Sequence, residues 1–241
     1  MSDEQTSEGQ GLDLTLLANF VHQIVNPLNG VAGTLDNLAD GTIDESRREQ
    51  RLNAARAQLE QCITLVRNLA FLAQGSGGVA DQDRRVVVLP QVIIEAAMFF
   101  QEDGESRRIR ISLQDRKTQN KVTGHPELIR QVLMNLFDNF IKYGALNSTI
   151  EVNQWIQSET NFAIIEMHGE SRYPIASDEI GKMFDLGFRG SNATKVVASG
   201  TGLGLFICRQ IVESIGGSIH AQASGKNGIQ FIIKLPNGTR G

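Results

Sequence analysis

Cysteine is nearly absent: Cys62 and Cys208 are the only two among 241 residues, and each lies in an apolar periodic run, where it reads as a small buried hydrophobe. A reducing compartment fits that usage. Positive charge is not in excess either. Lysine and arginine number 23 against 27 acidic residues, a net charge of −4, so the chain lacks the basic footprint of a nucleic-acid binder. No apolar run approaches the roughly 18 to 20 residues that span a bilayer. The first eleven residues, MSDEQTSEGQG, are acidic and polar without an apolar signal region, so no membrane insertion and a cytoplasmic location are expected. No internal repeat and no low-complexity segment occurs. What remains is an ordinary folding composition, 41% apolar and 21% charged, in a length that suits two modest domains.

The first domain is written in heptads. Leu17, Val21, Ile24, Leu28, Val31, Leu35 and Leu38 recur at alternating intervals of four and three. After Gly41 and a turn bearing Thr42 and Asp44, the interval returns at Leu52, Ala55, Leu59, Cys62, Val66, Leu69 and Ala73. The spacing predicts an antiparallel helical hairpin over residues 12–73. Two helices with one narrow seam each cannot enclose a core, so a second copy making a four-helix bundle is expected. Residues 74–85, rich in glycine and polar side chains, read as a linker and hinge. From 86 to 236 the period switches repeatedly. Strands are expected at 86–88, 109–113, 148–155, 161–167, 217–223 and 228–235, with helices from Pro90, over Pro126 to Tyr143 and over Leu203 to Ile215. The fold class is therefore α + α/β: a helical hairpin followed by an α/β sandwich with a mixed sheet.

Two places carry chemistry. His22 sits one position past the seam residue Val21, beside the packed stripe and toward solvent. Pro27, five residues on, removes a backbone donor and leaves the carbonyl of Gln23 without its usual partner. A neutral imidazole nitrogen is a competent nucleophile toward a phosphoryl group. In the second domain Gln131, Asn135, Asn139 and Lys142 form one polar stripe on an otherwise apolar helix. Amide oxygens suit a hard cation, and a lysine one turn on suits phosphate oxygens. Downstream, Gly200, Thr201, Gly202, Leu203 and Gly204 open a further helical pattern, where exposed backbone N–H groups can cradle an anion. No Gly-Lys-Ser/Thr follows them, and Leu205 stands where a dinucleotide fingerprint needs its third glycine, so neither of those nucleotide motifs is present.

The segment Phe20-Val-His-Gln-Ile-Val-Asn-Pro-Leu-Asn-Gly-Val31 resembles the phosphoacceptor box of two-component sensor histidine kinases, matching it at His22, Asn26, Pro27 and Leu28. Gln23 stands where that family has a glutamate or aspartate serving as base, and an amide cannot take the proton. Asn26 is the position that in the family orients a water for dephosphorylating a partner; its plainer reading is a solvated polar residue. Leu133 to Tyr143 resembles the N-box of the family's ATP-binding domain, the GHKL fold shared with DNA gyrase, the Hsp90 chaperones and MutL. Lys182 to Gly190 looks like the F-box that begins a lid over ATP, and Gly200 to Leu205 matches the second glycine box. By resemblance Asn139 would hold Mg²⁺, Asn135 would support it, and Lys142 and Tyr143 would line the phosphates. The first glycine box departs. Counting back from Ile175 puts Glu170 where the family has the aspartate that accepts a hydrogen bond from the adenine amino group, with Arg172 and Pro174 in place of both glycines.

The resemblance implies a homodimeric histidine kinase core that phosphorylates His22 from Mg-ATP and passes the phosphoryl group to an aspartate of a response-regulator receiver domain, the signal coming either from a longer chain of which this is a core fragment or from a separate sensor protein. The alternative is a histidine phosphotransferase or response-regulator phosphatase with a degenerate ATP domain.

Overall fold

The heptad seam becomes two helices, α1 (Leu14–Ala39) and α2 (Glu45–Gln74). The structure, a computed structural model, describes residues 14–74, 84–196 and 201–238. The polar leader, most of the expected linker and Gly200 lie outside them. The chain separates into two units between Ala73 and Gln74.

In the first unit α1 continues through Pro27 without interruption. The helices are antiparallel: the Cys62 thiol donates to the carbonyl of Ile24 at 3.6 Å, and a Cβ built on Gly30 would lie 2.8 Å from the Gln58 amide oxygen. Gly30 thus lies against the flexible amide end of the Gln58 side chain. Phe20, Ala55, Cys62, Asn68 and Phe71 are buried between them. Half of the seam stays uncovered, because Val21, Leu28 and Leu35 on α1 and Leu52, Leu59 and Val66 on α2 are exposed at seven-residue intervals.

The second unit runs β1 (Arg85–Val88), α3 (Leu89–Phe99), α4 (Gln101–Arg107), β2 (Arg110–Leu113), β3 (Lys121–Gly124), α5 (Pro126–Tyr143), β4 (Thr149–Gln157), β5 (Phe162–Glu170), α6 (Ser177–Ile180), α7 (Ala193–Val196), α8 (Gly204–Ser214), β6 (Ser218–Ser224) and β7 (Gly228–Pro236). The main sheet has the order β2-β4-β5-β7-β6, parallel only between β2 and β4, and β1 pairs with β3 in a small antiparallel sheet. The sheet is mixed, as the sequence leads one to expect. Strand β3 and the short helices α4, α6 and α7 were not legible in the pattern, and β5 runs three residues past the expected end at 167.

Alternation along β4 buries Ile150, Val152 and Gln154 on one face and leaves Glu151, Asn153 and Trp155 on the other. The buried face packs under α3, α5 and α8. Helix α5 is the centre of the layer: Leu133, Leu136, Phe137, Phe140 and Ile141 are buried, and each large apolar side chain contributes about 1.5–3 kcal/mol on burial. Pro126 opens this helix in a position that tolerates a missing donor. Arg107 closes it, its Nη1 donating to the carbonyls of Ile141 at 3.0 Å and Lys142 at 3.3 Å.

Cys208 sits fully buried on α8, its thiol pushed up to about 12 by desolvation. A thiol-reactive disulfide reagent at pH 8 is therefore expected to leave Cys208 unmodified in the folded protein and to modify it once denaturant is added. The thiol's raised value also fixes a sign: its contribution to stability is complete below the unfolded thiol's value near 8.5 and declines as pH climbs from there toward 12.

Candidate nucleotide and phosphoacceptor sites

On α1, His22 and Asn26 are both exposed and lie one turn apart, while Gln23 is half-buried beside them. Among the described residues His22 has no hydrogen-bond or ion-pair partner, so its imidazole is open to a reactant and no carboxylate is aligned with it.

On α5 the polar stripe divides. Gln131 and Asn135 are buried among the apolar side chains, whereas Asn139 and Lys142 are half-buried toward the rim. The Asn135 Nδ2 donates to the carbonyl of Gly204 at 3.5 Å, which brings the N-box helix against the start of α8. Asn139 makes no side-chain hydrogen bond among the described residues, so both of its amide atoms are uncommitted. Lys142 is paired one turn back with Asp138 at 2.6 Å. Tyr143 is half-buried, and its carbonyl accepts from the Arg172 N–H at 2.9 Å.

The described part of the glycine box leads into α8. Thr201 Oγ1 accepts from the Leu203 N–H at 3.4 Å, and Leu203 is buried. Gly202 has φ +67°, and a Cβ there would lie 2.5 Å from the Phe188 carbonyl oxygen. Only glycine meets both demands. Asn135, Thr201, Gly202, Leu203 and Gly204 are thus gathered between α5 and α8, with the N-terminal N–H groups of α8 at one end.

The F-box and the two residues after it are held by residues that no motif reading singled out. Arg209 on α8 donates to the Phe184 carbonyl at 2.6 Å, lies 3.4 Å from an Asp185 oxygen, and places its guanidinium 5.8 Å from the Phe184 ring centre. Glu179 accepts the Ser191 N–H at 2.8 Å, and that bond holds its carboxyl below the ordinary value. Asn192 Nδ2 donates to the Pro174 carbonyl at 3.0 Å. These contacts tie residues 184–192 to α8, α6 and the turn that replaces the first glycine box. A solitary Arg on α8, Glu on α6 or Asn in a turn carries no periodic signal, which is why the sequence alone did not mark them.

Glu170, expected to contact the nucleotide, lies on the face of the sheet turned away from the helices. Ala163, Ile165, Met167 and Gly169 of β5 point to the helices; Glu166, His168 and exposed Glu170 alternate with them on the far side. The counted-back position is off by one in the pleat, because β7 fixes the register at Glu170↔Gly228 and Gly169↔Ile229.

Two family models match the chain: His Kinase A (phospho-acceptor) domain over residues 13–78, and Histidine kinase-, DNA gyrase B-, and HSP90-like ATPase over residues 124–239. The sensor protein KdpD of Clostridium acetobutylicum is 28% identical over 231 residues, covering 95% of this chain and 25% of KdpD. The nucleotide-free catalytic domain of histidine kinase ThkA superposes with a TM-score of 0.55 at 26% identity, over 64% of this chain and 95% of that one. ThkA in complex with the response regulator protein TrrA has the same fold at 22% identity, TM-score 0.58, over 92% of this chain and 61% of that one. The chain spans about a quarter to under half of the curated relatives it matches, 25% to 45% of their length.

Proposed function

Because the chain belongs to the histidine kinases as a catalytic core, we propose that it binds Mg-ATP between α5 and α8 and transfers the γ-phosphoryl group to His22. The observation that carries this reading is the pairing of two features in one chain: an exposed, unpartnered imidazole at a helix surface, and an amide-bearing helix tied through Asn135 to a glycine-opened helix N-terminus. An imidazole nitrogen attacks the γ-phosphorus, the bond from that phosphorus to the bridging oxygen breaks, and ADP departs. Solvent takes the imidazole proton, since the Gln23 amide cannot. The α8 N–H groups and Lys142, once it exchanges Asp138 for phosphate, neutralise charge on the transferring group. The residues fit a magnesium ion: Asn139 offers an uncommitted amide oxygen near the rim, the hard neutral donor such an ion accepts beside its waters. Bound there, the ion would offset phosphate charge.

The uncovered half-seam of Val21, Leu28, Leu35, Leu52, Leu59 and Val66 supports a second copy as the partner of the hairpin, giving a four-helix bundle. Acceptance by the aspartate of a receiver domain docked on that bundle completes the reaction, and Asn26, exposed one turn from His22, would orient a water for dephosphorylating that partner. Among the described residues no helix is long and apolar enough to cross a membrane.

Calorimetric titration of the protein with a non-hydrolysable ATP analogue tests the nucleotide half. Binding is expected in magnesium and is expected to weaken at least about tenfold in chelator or with Asn139→Ala. Equal affinity with and without magnesium would contradict the role given to Asn139.

A further inference from the structure

The helix-facing end of β5 carries no acceptor. Past Met167 the next residue on that face is Gly169, and a Cβ built on it would lie 2.8 Å from two ring carbons of Phe140. Phe140, next after Asn139 on α5, is almost fully buried. It cannot simply swing aside: its ring packs edge-on to Phe231 at 5.5 Å, and Phe231 packs in the same way on Phe184 at 6.2 Å. Three neighbouring backbone carbonyls are also committed. Glu170 O accepts from the Ala145 N–H, Tyr143 O from Arg172, and Phe140 O from Gly144. Glu170 itself points to the opposite face of the sheet.

We propose that this nucleotide site does not read the 6-position of the purine, because Gly169 and the Phe140 ring stand where a base-reading carboxylate would project. The inference rests on the reading of the second unit as a nucleotide site. A carboxylate there would accept from the 6-amino group of adenine and repel the 6-oxo group of guanine or hypoxanthine, a distinction that hydrogen-bonding pockets make by several orders of magnitude. A strand end without an acceptor on this face makes no such distinction. Affinity then comes from the phosphate end, which ATP, GTP and ITP share. Phe140 and Gly169 are accordingly specificity-determining residues acting by what they leave out.

The test is equilibrium binding of non-hydrolysable ATP, GTP and ITP analogues with magnesium to the full chain. The three dissociation constants are expected to agree within about threefold. A preference for ATP above about tenfold would overturn the proposal while leaving the nucleotide site intact, and binding by none of the three would remove the site and the proposal together. Phe140→Ala combined with Gly169→Asp vacates the ring and restores an acceptor on the correct face. That double variant is expected to gain at least about tenfold preference for ATP over ITP, and a folded double variant, with native-like circular dichroism, that stays unselective would count against the assignment.

Discussion

Gly202→Ala is expected to abolish most nucleotide binding while leaving the fold of the second unit in place. Two separate costs meet at this residue. The backbone has φ +67°, where an L side chain costs about 1–2 kcal/mol, and the added methyl would sit 2.5 Å from Phe188 O, 2.6 Å from Gly187 C and 2.7 Å from Gly187 O. All three atoms are backbone, so no side chain can rotate to make room. Either residues 187–188 move away or the turn into α8 changes shape, and both alter the cradle of N–H groups that the phosphates need. Since each 1.4 kcal/mol is tenfold in affinity, strain and clash together place the expected loss at roughly thirtyfold or more. Gly225→Ala provides the control. It shares the left-handed conformation at φ +65°, meets no atom within 4 Å and lies in the turn between β6 and β7, so it carries the conformational cost without the clash. Calorimetry on both variants should find near-native binding for Gly225→Ala and little for Gly202→Ala; equal affinities would mean that the contact between the glycine box and residues 187–188 does not shape the site.

Much of this architecture is legible in the residues. The alternation of four and three from Val21 to Leu38 and from Leu52 to Ala73 dictates paired helices, and the structure adds only which half of the seam the hairpin covers by itself. Asn135, Asn139 and Lys142 declare a polar stripe on an apolar helix because a 3.6-residue period makes sides readable. The pleat of β5 was not readable in the same way. Box spacing counts residues along the chain, whereas the face of a strand residue depends on its register with a neighbour sixty residues away, and a single step exchanges Gly169 for Glu170. The pinning of the F-box segment by Arg209, Glu179 and Asn192 was hidden for a related reason: these are long-range, solitary contacts with no periodic trace. Phe140 reads in sequence as one more core aromatic, and its proximity to Gly169 appears only when α5 is laid on the sheet.

His22→Ala is expected to have the larger effect of the two, a complete loss of phosphoryl acceptance. The side chain is exposed and unpartnered on a helix, so its removal creates no cavity and strands no buried polar group; alanine is also the better helix former. Stability should stay within about 0.5 kcal/mol of the parent, and nucleotide binding, which belongs to the other unit, should not change. The other histidines differ in setting: His125 is buried at the start of α5, His168 is half-buried on β5, and His220 is exposed on β6. His220→Ala is therefore the matched control for an exposed imidazole outside the hairpin.

The most direct measurement of the central claim is incorporation of label from γ-labelled Mg-ATP into the intact protein, run beside His22→Ala and His220→Ala. A phosphoramidate on His22 predicts label that acid removes, that persists in His220→Ala and that falls to background in His22→Ala. Label that survives in His22→Ala, or a folded, nucleotide-binding protein that takes up none, would contradict it.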